Sequence, residues 1–79
     1  MTTYSRYVLN KVLPVLNELE IQILTCSYQE QRNFRSLGES QAGTDVYLRA
    51  EENCAALNDA IDSINAAIRN VKTVLGVNV

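Results

Sequence analysis

The chain has no histidine and no tryptophan, a single proline and only three glycines. Each shortage removes a class of chemistry. Without histidine, the commonest general base and the commonest metal ligand are missing. Two cysteines, Cys26 and Cys54, fall short of the four ligands that a structural zinc site takes. Gly38, Gly43 and Gly76 sit at turns and helix ends. They make no Gly-rich phosphate loop, nucleophile elbow or dinucleotide fingerprint. Glu51, Glu52, Asp59 and Asp62 lack the Glu-x-x-His spacing of carboxylate-metal bundles and read as a solvated acidic face. No enzyme activity, cofactor, metal or small-molecule ligand is expected.

Positive charge is also scarce. Seven basic residues stand against nine acidic ones, for a net charge of −2. Arg6, Lys11, Arg32, Arg35, Arg49, Arg69 and Lys72 are scattered, whereas nucleic-acid affinity rests on a basic patch that neutralises phosphates. Direct nucleic-acid binding is not expected, and Arg32 and Arg35 read as a solvated face. Long apolar runs are absent too. The richest stretch, Tyr7 to Leu16, is interrupted by Asn10, Lys11 and Pro14 and is too short to span a bilayer. No signal-peptide pattern is visible. The expected place is therefore the cytoplasm, or a particle assembled there.

What remains is a helical pattern. With 79 residues, 47% of them hydrophobic and 20% charged, the chain has the balance of one small globular domain. One breaker cluster stands out, from Gly38 to Asp45. Gly38 reads as the left-handed residue closing a first helix, and Thr44 or Asp45 as the N-cap of a second. In the second helix Tyr47, Ala50, Cys54, Leu57, Ile61, Ile64, Ile68, Val71 and Leu75 alternate spacings of three and four, a heptad seam held for four heptads. Gly76 then ends it. The first helix carries the same rhythm at Leu9, Val12, Leu16, Leu19, Ile23 and Cys26, weakens at Glu30 and Asn33, and regains it at Phe34 and Leu37. Pro14 removes one hydrogen bond and crowds the Asn10 carbonyl. A kink is expected there, or a short helix ending near Leu13.

Folding one helix onto the other about Ser40 pairs residues whose numbers add to 80, and seam meets seam over six layers. The expected fold is all-α. It is an antiparallel two-helix hairpin in a single domain, residues 1–79, with helices near 4–37 and 45–75 and a loop near 38–44. This register puts Cys26 and Cys54 in one layer. A disulfide is sterically open there, and in an intracellular chain two reduced, buried thiols are expected instead.

A lone hairpin cannot cover everything apolar in this chain. Val8 and Val15 flank the seam on one side, while Leu13, Ile21, Leu24 and Tyr28 lie away from it. Val46, Ala60, Ala67 and Val74 form a small-residue row on the second helix, on a seven-residue grid that lets another helix come close. Tyr4 and Tyr7, near the free end, suit a protein contact because a tyrosine can bury its ring and keep its hydroxyl wet. Hairpins are expected to complete a helical bundle by self-association or by docking on a protein partner.

Two groups of short helical hairpins are set aside on their turns. Secretion-needle subunits typically carry proline in the turn, and this loop has none. Hairpins of the Trp-x-Gly class need a tryptophan, which this chain lacks. The functional expectation is a non-catalytic assembly module, a small structural subunit of a larger particle such as a phage virion. The alternative is a small intracellular regulator that sequesters a partner protein.

Overall fold

The computed structural model describes residues 1–76, the side chain of Glu39 excepted. Residues 77–79 of the expected domain lie outside the described residues. Two helices pack along their length, α1 (Thr3–Leu37) and α2 (Asp45–Leu75), joined by a 3-10 turn at Glu39–Gln41. The fold is an all-α hairpin.

Each helix end has a local cause. The Thr2 hydroxyl accepts from the Ser5 N–H at 3.1 Å, and the Thr44 hydroxyl accepts from the Tyr47 N–H at 3.2 Å. Each supplies a partner to one of the N–H groups that a helix start leaves unpaired. Gly76 takes the left-handed conformation, and its N–H reaches the carbonyls of Lys72 and Thr73. Gly38 closes α1 with φ +69° and ψ 171°. The positive φ was expected. The extended ψ was not, and it sends the chain into the 3-10 turn instead of a left-handed cap. α1 runs through Pro14 without a break, so the short-helix alternative is not realised.

A Cβ built on Gly38 would meet nothing within 4 Å. Gly38→Ala is therefore unstrained by contacts and penalised only by its backbone angle, at about 1–3 kcal/mol. Thermal melts followed by circular dichroism should show a fall of roughly 4–8 °C per kcal/mol for a domain this small. An unchanged melting temperature would mean that the turn does not hold this conformation.

Two contacts fix the register. Near the loop, the Phe34 and Tyr47 rings lie 4.8 Å apart, tilted by 49°. At the open end, the Arg6 guanidinium donates to the Leu75 carbonyl at 3.0 Å and gives a partner to one of the last carbonyls of α2. Both pairs add to 81, one more than the turn-centred expectation of 80, so the arms stay aligned from end to end.

The buried seam agrees with the sequence on α2 and departs from it on α1. All nine expected α2 seam residues are buried or half-buried. On α1 the inward positions are Ser5, Leu9, Val12, Leu16, Glu20, Ile23, Ser27, Glu30 and Phe34. After Leu16 alternate seam positions move by one residue, Glu20, Ser27 and Phe34 replacing Leu19, Cys26 and Asn33, while Ile23 and Glu30 keep their places. Leu19 is 41% exposed and Cys26 is exposed, while Ser27 is the most buried side chain, at 2%. The cause is the helix's own period. Ser5 to Phe34 takes 29 residues over eight turns, about 3.6 per turn, whereas a strict heptad runs at 3.5 and drifts ~20° per repeat. One four-residue step, Leu16 to Glu20, absorbs the difference.

The core is thin. Ala50, Ile68 and Leu75 are the buried apolar residues among those described. The molecule measures 58 × 19 × 15 Å and exposes 5814 Å². A compact monomer of this mass would expose about 4,800 Å², so about 1,000 Å² of surface is left uncovered by comparison.

Candidate protein-interaction face

The two broad sides of the hairpin differ in chemistry. Residues about 80° from a seam lie along one flank of a helix. In an antiparallel pair, flanks offset from the two seams in the same rotational sense come to the same side. On one broad side α1 presents Val8, Val15, Leu19 and Cys26, with Tyr4 just outside them. α2 presents Asn53, Ala60, Ala67 and Val74 there, backed by Ala56 and Ser63. From Asn53 to Val74 this α2 strip carries no charge. On the opposite side α2 presents Glu51, Asn58, Asn65 and Lys72, with Asp62 and Arg69 behind them. Glu51, Asp62, Arg69 and Lys72 thus lie toward one broad side, and the other is free of α2 charge from Asn53 to Val74.

The expected interface residues divide between these sides. Tyr4, Val8, Val15, Ala60, Ala67 and Val74 converge on the uncharged side. Tyr4, Val15 and Val74 are exposed, while Val8, Ala60 and Ala67 are half-buried against the neighbouring helix. A shallow recess between Tyr4, Ser5, Val8 and Leu9 opens on the same side. Tyr7 is elsewhere, on the back of α1, with the Lys11 ammonium 4.5 Å from its ring centre. Such an exposed cation–π pair is worth only about 0.5–1 kcal/mol. Leu24 is half-buried beside the seam, and Ile21 and Tyr28 are exposed on the far side of α1.

Leu19 and Cys26 are the members of this face that heptad counting misplaced. An eleven-residue repeat finds them, since Tyr4, Val15 and Cys26 are eleven apart, as are Val8 and Leu19. The cysteine pair changes accordingly. Both thiols are free, Cys54 is half-buried in the seam and Cys26 is exposed on the flank. The register of 81 puts Ser27, not Cys26, level with Cys54, so the expected pair of facing, buried thiols is not formed. Ser27 accepts from the Gln31 side-chain amide at 3.3 Å.

Little else on the molecule gathers reactive groups. Among the described residues, no three His, Cys, Asp or Glu side chains come together, and no helix is long and apolar enough to cross a membrane. A second shallow recess, between Asp45, Leu48, Arg49 and Glu52, lies on the first two turns of α2 alone. Compared with family models, with curated proteins and with solved structures, the chain gives no match in any of the three.

Proposed function

We propose that this chain is a non-catalytic assembly module, a small structural subunit that acts by packing its uncharged broad side against protein. One observation carries the reading: from Asn53 to Val74 one broad side of the hairpin holds no α2 charge, and both helices line it with apolar or small residues, of which Tyr4, Val15, Leu19 and Val74 are open to solvent. A face kept free of charge in a chain that is 20% charged suits burial in a bundle. The thin core agrees, because a domain of this size usually needs a staple or a partner. Incorporation in a larger particle follows from this mode of action as its simplest use. Sequestering a foreign protein through the same face is the regulator's version of it.

The test is the concentration dependence of thermal stability. If burial of the open side stabilises the fold, the melting temperature rises with protein concentration by mass action. An environment-sensitive apolar dye should bind the dilute chain and be displaced as concentration grows. A melting temperature constant over a hundredfold range, with no dye bound at any concentration, would sink the reading.

A further inference from the structure

We infer that the occupant of the uncharged side is a second copy of this chain, set with both loops at the same end of a four-helix bundle. This rests on the packing reading above and names its partner. Two features argue for self-pairing. The first is area. The broad side spans 58 × 19 Å, about 1,100 Å² in projection, and a stable dimer buries about 800 Å² per partner. The second is size matching. α1 offers Val8, Val15 and Leu19, and α2 offers Ala60, Ala67 and Val74, so a larger residue has a smaller one nearby at Val15 with Ala67 and at Leu19 with Ala60, and valine meets valine at Val8 with Val74. By the register of 81, Val15 lies level with Ala66, beside Ala67, and Val8 lies level with Thr73, beside Val74.

The arrangement of the copies follows from those sizes. Turning one hairpin about its long axis sets α1 of each copy on α2 of the other, larger against smaller at Val15 with Ala67 and Leu19 with Ala60 and valine against valine at Val8 with Val74, with even spacing. Turning it about a perpendicular axis sets α1 on α1 and α2 on α2. The alanine side would then close while the valine–leucine side stayed apart, and helix spacing of 8–10 Å could not hold on both. Only the first arrangement keeps the loops together, and every neighbouring helix pair in it is antiparallel.

Cys26 reports on the face without mutation. Its modification by a thiol reagent should slow as the protein is concentrated, while half-buried Cys54 changes little. For the arrangement, Ser40→Cys in a Cys26→Ala, Cys54→Ala chain carries a spin label at each loop. Loops at one end should give a label separation under about 25 Å, and loops at opposite ends about 45–50 Å, one helix length. Val15→Asp should weaken association roughly a hundredfold, and Ile21→Asp, on the far side of α1, should leave it unchanged.

A short distance with slowed Cys26 labelling supports the inference. The long distance overturns the arrangement, and loss of association in Ile21→Asp but not Val15→Asp overturns the face. A monomer at every concentration that still binds the dye overturns self-pairing and leaves a foreign protein as the occupant. A monomer that binds none overturns the packing reading as well.

Discussion

An Ile68→Asp chain should show no cooperative melt and little helix at 25 °C. Ile68 is one of the three buried apolar residues among those described, 7% exposed, in the second half of the α2 seam. Its removal forfeits about 1.5–3 kcal/mol of burial. The new carboxylate must also be buried unpaired, at several kcal/mol more, or pull the helices apart to reach water. A domain of this length has only about 4–12 kcal/mol to lose. Asn58→Asp is the control, because it adds the same charge at an exposed position of α2, and it should melt within a few degrees of the parent. If Ile68→Asp melts like that control, Ile68 does not lie in a packed seam.

Ala50→Leu should cost about 1–3 kcal/mol through overpacking. Ala50 is 3% exposed, one turn beyond Tyr47, whose ring already meets Phe34. Three added carbons must push the arms apart at the loop end, so the melting temperature should fall by roughly 4–8 °C per kcal/mol. The far end is held separately by Arg6 on the Leu75 carbonyl, and its amide exchange should change less than that of residues near Phe34. A stabilised Ala50→Leu chain would show that the loop end is loosely packed.

Much of this architecture is legible from residue types. Gly38, Thr44 and Gly76 mark helix ends because a positive φ or an N-cap oxygen is needed there, and few other residues supply either. The α2 seam is legible because nine apolar or small residues hold one spacing without a rival. α1 is harder, since it has apolar residues on several sides and two seams compete. Heptad counting prefers Leu19 and Cys26 for their chemistry. The helix follows its natural period and turns Glu20 and Ser27 inward instead. The same slip moves two apolar residues onto the flank and helps to create the candidate face. The small-residue row Ala60, Ala67, Val74 was legible from spacing alone. That it shares a side with Val8 and Val15 becomes legible only when the two helices are set antiparallel and their flanks compared.

The most direct measurement is the mass in solution, by light scattering after size exclusion, across a tenfold concentration range. If the open side exists to be packed, the mass should exceed the 8.8 kDa of one chain and settle at twice that value as concentration rises. A mass of one chain at every concentration, with a melt that does not depend on concentration and no dye bound, would contradict it.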